Sequence, residues 1–355
     1  LPISPLQLQE NYDNSGLLIG NPETDIRGVL VTLDVTEDVI EEAIKKGCNV
    51  IVSHHPIIFK GLKKLTGKNY VERCVIKAIK HDIALFASHT NLDNISGGVN
   101  TQITSILGLL NVKILAPKSG QLQKLVVFVP RTHTANVQNA LYAAGAGNIG
   151  KYSDCSFKVA GTGSFKPNDL SNPFIGERGI YEEVEEDRLE VVFPVWHKNK
   201  ILESLKKSHP YEEIAFYLHN LENYNQDVGS GAIGELSEAL ELPEFLNMVK
   251  SKMKASVIRY TNINDKKIKK IAVCGGVGSF LLQDAINAGA DAYLTADFKY
   301  HEFFDAENRI IIADIGHFES EQFTKELLVE IISKKFSNFA TYLSDTDTNP
   351  IKYYF

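Results

Sequence analysis

The sequence predicts an α/β fold in which two related βαβ-rich halves form one domain, interrupted by an insertion of ferredoxin-like βαββαβ order. Three observations carry that prediction. In residues 1–120, and again in 228–355, short β-branched runs alternate with amphipathic helical patterns, which implies right-handed crossovers and a mostly parallel sheet. Residues 124–223 change texture and read as strand, helix, two strands, helix, strand. The outer segments also repeat a layout: strand, helix, glycine, strand, polar strand end. The chain has 355 residues, more than one ordinary core accommodates.

The elements follow in order. At Leu1 a helix reads as already under way, and residues 1–10 lack the basic stretch and apolar run of a signal peptide. Residues 28–34 form a strand, and Thr36 caps a helix over 36–47 that ends at Gly47. The run 48–56 (CNVIVSHHP) is a second buried strand, broken by Pro56. A helix with apolar Val71, Val75, Ile76 and Ile79 follows, then a third strand within 82–93. In the insertion, strands at 125–130, 156–165, 188–195 and 214–220 alternate with helices at 134–143 and 197–207. Its flanks, 116–120 and 223–231, have the Gly, Asn, Ser and Pro content of linkers. In the last segment a strand at 271–276 leads through Gly278 into a helix over 279–289. A strand at 291–297, a helix around 299–308, a strand at 309–316 and a helix over 319–336 complete the chain.

Composition excludes several classes. Hydrophobic residues make up 44% and charged residues 23%, a globular balance. No window approaches the roughly 18 continuous apolar residues of a membrane helix. Cys48, Cys74, Cys155 and Cys274 lie far apart with no CxxC pair. That spacing fits reduced thiols, and hence a cytoplasmic location, rather than a disulfide frame or a thiolate zinc site. A net charge of −7 without a basic block argues against nucleic-acid binding.

The residues able to do chemistry collect at the carboxyl ends of strands, where open α/β sheets place their ligand crevice. His54 and His55 end an apolar strand beside Pro56. Successive strand residues point to opposite faces, so two adjacent imidazoles splay toward separate metals only where the strand stops. His317 and Glu321 are four residues apart at a strand-to-helix junction, which places both on one helical face. Asp93 lies just past another strand. Each has a plain alternative: loop histidines, a capping aspartate, a solvated glutamate. Together they make three imidazoles and two carboxylates, a donor set for a dinuclear hydrolytic site with metals about 3.5–4 Å apart. His89 reads as a ligand, a proton carrier or a group that orients a ligand. Asp34, Asp297 and His301 lie at equivalent rims and are candidates for acid–base work, for orienting the ligands, or for ordinary capping. On the repeat register Asp297 falls opposite His55. The run 275–279 (GGVGS) reads as a tight strand-to-helix turn or a phosphate cradle. Leu281 replaces the third glycine that a dinucleotide fingerprint requires.

Seven stretches carry a resemblance: DNSGLLIG (13–20), TLD (32–34), VSHHPIIF (52–59), SHTNLDN (88–94), GGVGS (275–279), TADFKYHE (295–302) and GHFESE (316–321). In this order they resemble the NGG-one-interacting-factor-three-like family of dinuclear-metal-centre proteins, often described as GTP cyclohydrolase 1 type 2 homologues. The resemblance covers both outer segments. Two departures, Tyr12 in place of a Trp and Ala296 in place of a Gly, touch no expected ligand. The resemblance implies that His54, His55, Asp93, His317 and Glu321 hold two divalent metals per subunit, and the donor types point to zinc, iron or manganese. It also implies a homohexamer, a trimer of dimers with the sites facing an internal cavity. The insertion, especially 209–217 (HPYEEIAFY), resembles a PII/CutA-like domain that gates the cavity or binds a small regulator. The expected function is a metal-dependent hydrolase acting on a nucleotide or phosphoester-type small molecule, with His89, Asp297 and His301 as candidate catalytic residues. GTP ring opening is one form of it. The alternative is a metal-containing ring protein that binds a regulatory ligand without turnover.

Overall fold

The computed structural model describes residues 4–263 and 266–354. Residues 1–3, where the chain was expected to be helical already, lie outside the described residues. Among the described residues the fold is mixed α/β with three sheets, and it divides into two compact units, residues 1–116 with 227–355 and residues 117–226. No helix among the described residues is long and apolar enough to cross a membrane.

The first segment contains β1 (Gly16–Ile19), β2 (Gly28–Thr32), α1 (Glu37–Lys45), β3 (Val50–Ser53), α2 (Tyr70–Lys80), β4 (Ala84–Ala87), α3 (Thr90–Asp93), α4 (Val99–Leu107) and β5 (Leu110–Lys118). Helix α1 begins where predicted: Thr36 accepts a hydrogen bond from the Val39 amide and so satisfies one of the donors that every helix start leaves open. It ends at Gly47, in the left-handed region at φ 69°. The burial of every residue of β2 follows from its unbroken apolar run in the middle of a covered sheet.

The second unit contains β6 (Leu122–Pro130), α5 (Thr134–Ala143), β7 (Phe157–Phe165), β8 (Glu182–Pro194), α6 (Lys198–Ser208) and β9 (Phe216–Leu221). Its sheet has the order β7-β8-β6-β9, with every neighbouring pair antiparallel. One face packs on α5 and α6 through Leu125, Val127, Val137, Leu189, Val191, Ile201 and Leu205.

The chain returns to the first unit through β10 (Asn225–Leu240), α7 (Leu242–Lys252), β11 (Arg259–Tyr260), β12 (Ile268–Val277), α8 (Leu282–Asn287), β13 (Ala292–Ala296), β14 (Ile311–Asp314), α9 (His317–Glu321), α10 (Thr324–Lys335) and β15 (Ala340–Leu343). Two sheets result, of order β1-β4-β3-β2-β15 and β11-β14-β13-β12-β10-β5. Parallel pairing holds for β15-β2-β3-β4 and for β12-β13-β14. Antiparallel strands flank both runs, among them β1, β10 and β11.

Four expectations need correction. The two supposed linkers are strand: 116–118 close β5, and β10 runs from Asn225 to Leu240. Their glycines and asparagines read as turns because composition does not reveal that a neighbouring strand will pair with them. The helix expected around 299–308 is a 3₁₀ segment, Tyr300–Ala306. The helix expected over 319–336 is split into α9 and α10.

Candidate metal centre

Four imidazoles converge in the first unit, and each reaches the cluster from a strand end. His54 and His55 follow β3, whose ladder continues just far enough for their amides to bond the carbonyls of Thr32 and Leu33. His89 follows β4, and His317 opens α9 just past β14. Because β3 stops at Ser53, the adjacent rings of His54 and His55 escape strict alternation. Their centroids lie 4.9 Å apart, tilted by 46°.

One nitrogen of each ring is held from behind. His54 Nδ1 lies 2.8 Å from the Ser88 carbonyl oxygen, His55 Nδ1 lies 2.7 Å from Asp34 Oδ1, His89 Nδ1 lies 2.8 Å from Asp13 Oδ1, and His317 Nδ1 lies 2.6 Å from Asp297 Oδ2. These are the acceptor partners that metal-binding imidazoles ordinarily have, fixing tautomer and ring orientation. A carbonyl oxygen only accepts, so His54 carries its proton on Nδ1 and turns the Nε2 lone pair inward. Burial favours that neutral form by lowering the His54 pKa.

On the inner side Glu321 touches three imidazoles. Its Oε2 lies 2.9 Å from His55 Nε2 and 3.1 Å from His317 Nε2, while Oε1 lies 3.7 Å from His54 Nε2. Asp93 Oδ1 lies 3.7 Å from that same His54 nitrogen. Two donor sets that share Glu321 emerge: His54, Asp93 and Glu321, and His55, His317 and Glu321. Within each set the donor atoms lie within 4.8 Å of one another, and a third set joins His54, His55 and His89. Two buried atoms, His54 Nε2 and Asp93 Oδ1, have no hydrogen-bond partner. An unpartnered buried lone pair and carboxylate oxygen are costly, and a cation between them would satisfy both. The donor set of imidazole and carboxylate therefore fits a divalent metal.

The electrostatics agree. Burial disfavours charge on His55, yet Asp34 and Glu321 outweigh it and raise its pKa to about 9. Burial likewise opposes charge on His317, and Asp297 and Glu321 raise its pKa to about 11. Burial, then the Glu321 charge, pushes the Asp93 carboxyl well above its ordinary value. Glu321 is held well below its own: burial opposes ionisation, but the histidines prevail.

Every expected ligand, His54, His55, Asp93, His317 and Glu321, lies in this cluster. His89 joins it, and Asp34 and Asp297 stand behind two of its rings. His301 stands apart, exposed and stacked on Phe304 with centroids 6.3 Å apart. Sequence reasoning missed Asp13, a fully buried carboxylate that also accepts from the Thr90 amide and hydroxyl. Burial opposes its ionisation, but the bonds from His89 and Thr90 lower its pKa. Its only signal was its place in the DNSGLLIG stretch, 76 residues from His89.

The glycine run has a different role from a phosphate cradle. The Gly275 amide donates to Asn100 Oδ1 and the Gly276 amide to Ser320 Oγ, so neither is open to an anion. Gly276 has φ 62°, and a Cβ there would stand 2.5 Å from Glu321 Oε1. The glycine makes room for the shared carboxylate.

The cluster opens into a cavity of about 820 Å³, whose wall includes the rings of Tyr12, Phe59, Tyr70, Phe280 and Phe318.

Comparison with known proteins places the chain in a family. A model of the DUF34/NIF3 (NGG1p interacting factor 3) family matches residues 2–350. A Halalkalibacterium halodurans protein described as "GTP cyclohydrolase 1 type 2 homolog" is 42% identical, covering 99% of this chain and 95% of its own. A Bacillus subtilis protein of the same description is 41% identical over the same shares. The crystal structure of a Bacillus cereus protein related to NIF3 superposes with a TM-score of 0.87 at 38% identity, covering 99% of this chain and 96% of that one. The chain belongs to the DUF34/NIF3 family.

Proposed function

We propose that the first unit is a dinuclear metal-dependent hydrolase acting on a nucleotide or phosphoester-type small molecule. The observation that carries this reading is Glu321, whose two oxygens face separate imidazole sets while His54 Nε2 and Asp93 Oδ1 stay unpartnered. In it, Asp93, His54 and Glu321 would hold one divalent cation, and His55, His317 and Glu321 would hold the other. When bound, such cations would lower the pKa of a water, act as Lewis acids, and supply the positive charge a phosphate needs beside a cavity wall that has no Lys or Arg among the described residues. The chain's own residues supply position. Asp34 and Asp297 fix the rings of His55 and His317. His89 is fixed by Asp13 and lines the cavity, placed to pass a proton to or from a reacting oxygen. The aromatic wall suits a flat heterocycle, and the relatives' printed description points to a nucleotide such as GTP.

The same reading takes the two parallel-strand runs as related halves, the second unit as a ferredoxin-like, PII-type insertion, and the working form as a homohexamer. The all-antiparallel strand order β7-β8-β6-β9 supports the insertion. The metals are zinc, iron or manganese by donor type.

The test loads the protein with each metal and screens GTP, other nucleotides and phosphoesters for turnover. His55→Ala and Glu321→Ala are expected to reduce any turnover at least a hundredfold. Turnover equal to wild type in both variants would place the activity elsewhere. Nucleotide binding without turnover in every metal form would favour a regulatory ring protein instead.

A further inference from the structure

The second unit has a cavity of its own, about 640 Å³, on the sheet face opposite α5 and α6. Leu125, Val127 and Val129 of β6 and Leu189 and Val191 of β8 point toward the helices. The alternate residues Phe128, Glu186 and Arg188 therefore stand on the other face, where they line the cavity. The connection between β7 and β8 folds back across this face. Asn172 donates its amide to Glu212 Oε1 at 2.7 Å, and the rings of Phe174 and Tyr211 lie 6.4 Å apart. The cavity thus has a roof, and its size suits a small organic molecule.

Its floor holds an unusual polar group. Glu186 is only 7% exposed and lies across Gly163, where an added Cβ would meet its Oε2 at 2.1 Å. No Lys or Arg forms an ion pair with it among the described residues. Arg188, the cation beside it on the strand, pairs instead with Glu190 at 2.7 Å, and Lys166 at the rim is exposed. Near Glu186 the Tyr211 hydroxyl is buried without a well-formed hydrogen bond. Burial, and then that carboxylate, push the Tyr211 pKa up. A buried carboxylate without a cationic partner is costly, and a neutral hydroxyl beside it does not cancel its charge. Around them stand Phe128, Phe165, Phe174 and Tyr217, rings that attract a cation and pack against an apolar body.

We propose that this cavity binds a small organic cation, an ammonium group carried on an aromatic body. The ammonium sits against Glu186 and the Tyr211 oxygen, and the body lies among the rings. The site belongs to the second unit alone and does not depend on the metal reading of the first.

The probe is tyramine, compared with 4-ethylphenol, which keeps the ring and lacks the ammonium. Isothermal titration into the full chain is expected to show tyramine at least tenfold tighter. Glu186→Gln is expected to erase that difference while the circular dichroism spectrum is kept. Gly161 lines the cavity, and a Cβ there would meet nothing within 4 Å, so Gly161→Leu fills the space with little risk to the fold and is expected to abolish binding of both compounds. His55→Ala, in the other unit, should bind tyramine as wild type does. Equal affinity for the two compounds in the wild type, binding of neither, or tyramine binding unchanged in Glu186→Gln or Gly161→Leu would overturn the proposal.

Discussion

At the scale of single residues, the imidazoles of the cluster depend on what stands behind them. Asp34 holds His55 at Nδ1, and the Thr348 hydroxyl in turn donates to the other Asp34 oxygen at 2.8 Å. Removing such an orienting carboxylate ordinarily weakens metal affinity about 10–100-fold. Asp34→Ala and Asp297→Ala are therefore each expected to weaken binding by that order in competition with a chromogenic chelator. His301→Ala, outside every donor group, should leave the competition curve where wild type puts it. A His301→Ala effect as large as that of Asp34→Ala would contradict the placement described here.

Elements matter because two of them bring the centre together from a distance. Glycine at the end of β12 lets α9 come close enough for Glu321 to face three imidazoles. Gly276→Ala would strain a backbone at φ 62° and crowd Glu321 Oε1. The expected result is a metal content at most half that of wild type by elemental analysis, with the secondary structure retained. Helix α1 anchors the C-terminal segment that supplies Thr348. The Glu42 carboxylate, largely buried, accepts from Lys46, the Ser344 and Thr346 hydroxyls and the Asp345 amide. Burial opposes its charge, but these donors lower its pKa from 4.5 to about 2. A carboxylate lowered on folding contributes stability that is complete above its unfolded pKa and is lost as pH falls through the folded value. Glu42→Gln should therefore cost about 1–2 kcal/mol at pH 7 in urea titrations. The gap to wild type should narrow between pH 4.5 and 2. A gap that widened toward acid would show that the charge on Glu42 is not what holds the segment.

Across the whole molecule, cation binding at these donors would be linked to folding. A metal at a hundredfold excess over its Kd adds about 2.7 kcal/mol per site. Stripping the centre with a chelator is then expected to lower Tm by about 5–10 °C in calorimetry. An unchanged Tm would mean the donors hold nothing under those conditions. Sedimentation equilibrium should give about six times the 39.4 kDa chain mass if the ring assembly holds. Much of this was legible in one dimension. Apolar runs and the Thr36 cap marked β2, α1, β3 and the strands of the second unit, because burial of one face leaves a period in the chain. The histidines and acids at strand ends stood out because together they form a donor set for divalent metals. By itself, then, the amino-acid order determined the alternation of strands and helices and the donor types, all of which local periodicity and residue chemistry encode. Only the tertiary structure decided that β5 and β10 pair where linkers were expected, that Asp13 meets His89, that His301 lies away from the centre, and that Glu321 faces both donor sets. Those facts depend on sheet register and on contacts between residues far apart in the chain, and no local pattern records which distant partner a strand end will meet.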